Sequence, residues 1–124
     1  MLITHITSSV MYPHLLLRIW LDVDDLRNFE TLIPTVRRSR NVLVLITKGY
    51  FDSYWCRKEI ETAVEAKKNI ILVHDVTRCE FPNVTALPEA VQAAFNELAV
   101  PFQRPKAFRL VAMQEIARRM GLPV

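Results

Sequence analysis

A tryptophan, a cysteine and a glutamate stand at fixed spacing in Trp55-Cys56-Arg57-Lys58-Glu59, shortly after the apolar run of residues 41–47, NVLVLIT. In open α/β sheets, ligands bind beyond the carboxyl ends of the strands, where a glutamate early in the following helix can meet one. Glu59 also borders the apolar face marked by Ile60 and Ala63. Partial desolvation there would raise its pKa, a common property of catalytic carboxyls. On spacing alone, the commoner fate of such a residue is a solvated helix acid. Cys56 near a helix N-terminus would have its thiol pKa lowered. No histidine is placed to serve it, however, so it reads as a small core residue. Trp55 reads as packing the helix start against the sheet.

Three further groups hold chemistry-bearing residues. Asp22, Asp24 and Asp25 cluster where a strand of residues 18–23 would end. Such a cluster can hold Mg²⁺, as in phosphate-receiver domains, but the commoner role is loop capping. Asp75 follows the apolar run 69–74 and would be the phospho-acceptor of that reading. Arg37, Arg38 and Arg40 form a basic cluster ahead of a strand, suited to a helix end or to a contact surface. His5, His14 and His74 have no metal-ligand spacing, and His74 reads as a core-edge residue. No metal site is expected.

The elements that must position these residues alternate strand and helix, which argues for a parallel sheet covered by helices. Residues 18–23, 41–47 and 69–74 read as strands, the last two buried on both faces. Residues 2–6 read as a further strand, with a crossover to residue 18 near the minimum length of about 10–12 residues. A helix over 29–38 is shortened or made irregular by Pro34. Ser53 caps a helix running to about residue 68, with Lys67 and Lys68 in its last turn. Residues 77–87 form a loop. Pro88 opens a helix with Val91, Ala94, Phe95 and Leu98 on its face, and 99–102 is a short strand. A last helix, 106–120, turns Leu110, Met113, Ala117 and Met120 inward and stops at Gly121 and Pro123.

The composition suits one globular domain spanning residues 1–124, at 51% hydrophobic and 23% charged. A net charge of +3 with no long basic run gives no argument for nucleic acid. Cys56 and Cys79 form neither CxxC nor a zinc pattern and read as free thiols in a reducing compartment. The run Leu15-Leu16-Leu17 stops at Arg18, well short of the roughly 18 residues of a membrane span. No signal peptide is recognisable. A cytoplasmic location is expected, with the Asn83-Val84-Thr85 sequon unused.

Together the pieces resemble the TIR domain family. Residues 50–60 match its pattern Y-x-x-S-x-W-C-x-x-E followed by Leu or Ile. Residues 18–23 with Asp24-Asp25-Leu26 resemble its second strand and the start of its BB loop. Residues 39–47, SRNVLVLIT, resemble its third strand, and Pro101-Phe102-Gln103-Arg104 with Phe108 resembles its last strand and closing helix. The resemblance runs from residue 18 to about 120. Residues 1–17 do not match the family's opening strand and helix, so they read as an atypical or truncated N-terminal segment. Asn28-Phe29 stands where the BB loop usually carries glycine.

The resemblance implies a flavodoxin-like α/β fold, a parallel sheet with helices on both faces. It further implies an intracellular signalling module, of the kind used in innate immunity, that assembles with other TIR domains. Some branches of the family also cleave NAD⁺, which implies an NAD⁺ nucleosidase using Glu59, with Trp55, Asp24 and Asp25 about the nucleotide. NAD⁺ would be substrate, with no resident cofactor. The alternatives are a non-catalytic adaptor acting through residues 24–29 and, more remotely, a phosphate receiver using Asp22 and Asp75.

Overall fold

The computed structural model describes the backbone of residues 3–12 and 15–21 and all of residues 32–122. Five strands form one sheet in the order β2-β1-β3-β4-β5. They are β1 (Ile3–Tyr12), β2 (Leu15–Leu21), β3 (Asn41–Ile46), β4 (Asn69–Asp75) and β5 (Val100–Phe102). The helices are α1 (Leu32–Arg38), α2 (Tyr54–Glu65), the single turn α3 (Glu89–Gln92) and α4 (Lys106–Arg119).

Strands β3, β4 and β5 run parallel, in register from Asn41↔Asn69 to Ile46↔His74 and from Val73↔Val100 to Asp75↔Phe102. With helices packed around them, they make the flavodoxin-like α/β fold. The N-terminal strands depart from expectation. β1 pairs antiparallel with both β2 and β3. Strand β1 extends to Tyr12, and two residues separate it from β2. A parallel connection needs a crossover of about a dozen residues, so neighbouring strands this close in sequence can pair only as a hairpin. The reversal is confined to β1, because β2, antiparallel to it, again runs with β3. The expected strand at 18–23 is shifted to Leu15–Leu21. Asp22, Asp24, Asp25 and the expected helix start at Phe29 lie outside the described residues.

Strict alternation along β3 and β4 splits the core into two layers. Val42, Val44, Ile46 and Leu72 face α1, α2 and α3, where they meet Leu32, Val36, Ile60, Ala63 and Val91. Ile71, Val73 and Val100 face the other side and meet Ala112 and Ile116 of α4. Each large side chain so buried contributes roughly 1.5–3 kcal/mol. Pro34 is the third residue of α1, where its missing N–H has no helical partner to lose, and the helix is seven residues long.

Helix α2 begins as expected, with the Cys56 backbone N–H donating to Ser53 Oγ at 3.4 Å. It ends sooner than expected. Lys67 adopts φ 56°, Lys67 N–H donates to the Val64 carbonyl and Lys68 N–H to the Ala63 carbonyl. That pair of bonds is a Schellman closure, and it places both lysines beyond the helix. Glycine tolerates this left-handed backbone without the Cβ penalty. Lys67→Gly is therefore expected to raise stability by up to about 1 kcal/mol, readable as a higher urea midpoint with unchanged slope. Helix α4 closes the same way, with Gly121 at φ 79°.

Two helical faces differ from the sequence reading. After Gln92 the α3 segment tightens into a 3₁₀ turn, Ala93–Phe95, and Leu98 projects into solvent at 85% exposure. In α4 the buried positions are Ala112 and Ile116, whereas Leu110 and Met113 are more than half exposed. Apolar and charged residues are interspersed around this helix, so periodicity carries little information about which side meets the sheet.

Candidate functional site

The β3–α2 connection builds the site. Gly49 takes φ 83°, a left-handed conformation that turns the chain sharply after β3. The 3₁₀ turn Tyr50–Asp52 follows, and Ser53 starts α2. Arg57 clamps the turn by donating from Nη1 to the Phe51 carbonyl at 2.8 Å. The turn is thereby fixed from both ends, and Tyr50 is buried at 3% exposure.

Glu59 lies in the second turn of α2 and is 2% exposed. The expectation of a solvated helix acid is overturned: the carboxyl is inside the protein. Tyr50 Oη donates to Glu59 Oε1 at 3.3 Å, within a buried setting. Burying a carboxylate is costly without hydrogen-bond donors, and the phenol supplies one. Sequence reading missed Tyr50 as this partner. The available signal was an aromatic hydroxyl directly after the Lys48-Gly49 turn, which the turn folds back over the helix.

Trp55 is four residues before Glu59 on the same helical stripe, where side chains stand about 5–6 Å apart at Cβ. It does not pack the helix start against the sheet, as expected. Its indole is 36% exposed and meets Tyr54 edge-on, with ring centroids 5.1 Å apart. Cys56 is half-buried against the α2 side of the core, close to its expected role.

Beside Tyr50, at the carboxyl ends of β3 and β4, lies a cavity of about 680 Å³. Tyr50, Phe51 and Phe81 wall it, and Lys48, Arg78 and Glu80 supply charge. The volume falls within the range of small-molecule sites. Phe51 stacks edge-on against Tyr50 at 5.0 Å and contacts Phe95, which meets Phe81. Phe81 meets His74, whose Nε2–H donates to the Cys79 carbonyl at 2.6 Å, so His74 is a core-edge residue as expected. Glu59 does not line this cavity. Tyr50 is common to both: it is among the residues that line the cavity, and its hydroxyl donates to the carboxylate.

Among the described residues, Asp75 and Arg104 border a smaller, mostly apolar pocket of about 270 Å³ on the α4 side of the sheet. The Asp75 carboxyl accepts from the Thr77 backbone N–H and hydroxyl and lies 3.6 Å from Arg104. Burial works to raise its pKa, but the Thr77 hydrogen bonds, with Arg104 and Arg78 nearby, outweigh it and hold the carboxyl below its ordinary value. Arg37 reaches Glu65 at 3.7 Å across the surface, and Arg38 and Arg40 are exposed. Among the described residues, no three of His, Cys, Asp and Glu come together as a metal site, and no helix is long and apolar enough to cross a membrane.

A buried glutamate one turn from an exposed tryptophan, after a central parallel strand, is what the Trp-Cys-x-x-Glu segment builds. The sequence matches the family model described as TIR domain over residues 14–102. The chain belongs to the TIR domain family. It is also 35% identical over 96 residues to the NAD(+) hydrolase SARM1 of Danio rerio, covering 66% of this chain. The matched region spans 13% of that relative. The family defines this chain as a TIR signalling domain, and its helix α2 carries the glutamate of the family's motif.

Proposed function

We propose that this TIR domain cleaves NAD⁺ at the bond between nicotinamide and ribose, with Glu59 as the catalytic carboxylate. The observation that carries the reading is the burial of Glu59 beside the carboxyl end of β3. A carboxylate in a low-dielectric setting stabilises positive charge far better than one in water. As the C1′–N bond breaks, its electron pair moves onto the pyridinium nitrogen, and nicotinamide leaves neutral. No general acid is required. Positive charge develops at C1′ and the ring oxygen, and Glu59 stabilises it as glycosidase carboxylates do. Water then adds its oxygen to C1′ and releases a proton, giving ADP-ribose; attack by an adenine nitrogen instead gives a cyclic product.

Trp55 supports this reading by position. It presents a half-open aromatic face one turn above Glu59, suited to stacking a planar ring of the substrate. Asp24 and Asp25, which lie outside the described residues, are proposed to contact the nucleotide. The name of the Danio rerio relative agrees with the chemistry.

The test is nicotinamide release from NAD⁺ by the purified chain at high protein concentration. Release is the expected result. A folded chain that releases none would leave a second reading, a non-catalytic adaptor acting by TIR–TIR assembly. Phe108, Leu110, Val111 and Met113 favour that reading by exposing apolar surface along α4. Concentration-dependent sedimentation would then be expected, and a strict monomer with no affinity for other TIR domains would exclude it.

A further inference from the structure

We infer that Tyr50 is a positioning residue for Glu59, one whose hydroxyl sets the orientation of the carboxylate that meets the ribose. The inference rests on the NAD⁺-cleaving reading above and extends it to a residue that never needs to touch substrate. Three observations carry it. The Tyr50 hydroxyl donates to Glu59 Oε1 at 3.3 Å, and both side chains are almost fully buried. The ring is braced: the left-handed Gly49 precedes it, Phe51 stacks edge-on against it, and Arg57 pins the Phe51 carbonyl. The terminal torsion of a glutamate is broad and roughly two-fold, so packing alone leaves the carboxylate plane loosely defined. The Tyr50 donor on Oε1 is one contact that fixes that plane and with it the aim of the other oxygen. Misplacement by about 1 Å at a reacting centre can lower a rate about 100-fold.

Tyr50 also walls the 680 Å³ cavity at the ends of β3 and β4, so the residue that orients Glu59 faces an open space on its other side. The aromatic contacts from Phe51 through Phe95 to Phe81 hold that wall. Its position therefore depends on the β3–α2 turn and on the loop after β4, not on α2 alone.

The experiment compares Tyr50→Phe with the unaltered chain under steady-state conditions, with Glu59→Gln alongside. Tyr50→Phe keeps the ring and its stacking and removes only the hydroxyl. The expected result is a fall in kcat of about 10- to 100-fold, with KM within about two-fold, because the lost interaction orients the catalytic group and does not bind substrate. In the Glu59→Gln background, Tyr50→Phe lowers the residual rate no further, the non-additivity of two residues acting as one unit. A purely structural Tyr50 would lower thermal stability and the folded fraction and leave kcat per folded molecule unchanged in the parent background. Should Tyr50→Phe melt below the assay temperature, fluorinated tyrosine at position 50 retains the ring and hydroxyl and alters its acidity. The rate should then change with the acidity of the phenol. Full activity of Tyr50→Phe, or a rate indifferent to fluorination, overturns the inference while a dead Glu59→Gln keeps the reading of the site. A chain that releases no nicotinamide at all removes that reading, and this inference with it.

Discussion

Glu59→Gln is expected to lower nicotinamide release by about 10²–10³-fold or more, with the melting temperature within a few degrees of the parent chain. The substitution keeps the shape and leaves an amide oxygen to accept from Tyr50 Oη, the donor now 3.3 Å from Oε1. What disappears is one buried negative charge. Its value to the reaction is large because the group is 2% exposed, and little water screens it from charge developing on the ribose. Its value to the fold is small or negative, because a buried carboxylate carries a desolvation cost that the neutral amide avoids. The two effects therefore separate: activity collapses and the fold survives. Glu61→Gln is the matched control. Glu61 is partly exposed on the same helix and pairs loosely with Lys58 at 3.7 Å, so the rate should be unaltered. A drop smaller than about ten-fold in Glu59→Gln would remove Glu59 from the transition state.

Ile71→Ala is expected to destabilise the chain by about 2–5 kcal/mol, a drop in Tm of roughly 10–20 °C. Ile71 is fully buried in the middle of β4, between two parallel neighbours and under α4. The α4 side of the sheet has a small core: Ile71, Val73, Val100, Ala112 and Ile116 are its buried members. Removing three carbons there leaves a cavity that the flanking strands cannot collapse without breaking register. Met113→Ala on the helix above should cost less than about 1 kcal/mol, because Met113 is 54% exposed. Equal losses in the two variants, measured by chemical denaturation, would mean that α4 meets the sheet by its other side. Unequal losses would fix Ala112 and Ile116 as the packed face.

The strands β3 and β4 were legible because a strand buried on both faces reads as an unbroken apolar run, and NVLVLI and NIILV have no other stable fate in water. The start of α2 was legible because Ser53 carries its cap within its own side chain. The stop of α4 was legible because Gly121 takes its left-handed backbone without a steric penalty. These are local effects, decided within a few residues. The pattern from Tyr50 to Ile60 likewise carried the family resemblance that the matching family model bears out.

Other properties belonged to the tertiary structure. Whether Glu59 is solvated or buried depends on how much of α2 is covered, and α2 packs not only on the sheet but between α1 and α3. That widens its buried arc beyond the apolar stripe to include Glu59 and Thr62. Trp55 shares the stripe yet stays half-open, in the first turn of the helix, where the exposure differs from that of Glu59 one turn later. The sequence of α4 intersperses apolar and charged residues with no clear face, so only the sheet beneath it selects Ala112 and Ile116. The direction of β1 was settled by chain length between pairing partners, once the strand reached Tyr12 and left two residues before β2. In each case the deciding neighbour is distant in sequence: an element's own residues specify that it forms and where it stops, and the surface it meets specifies which of its side chains lose contact with water.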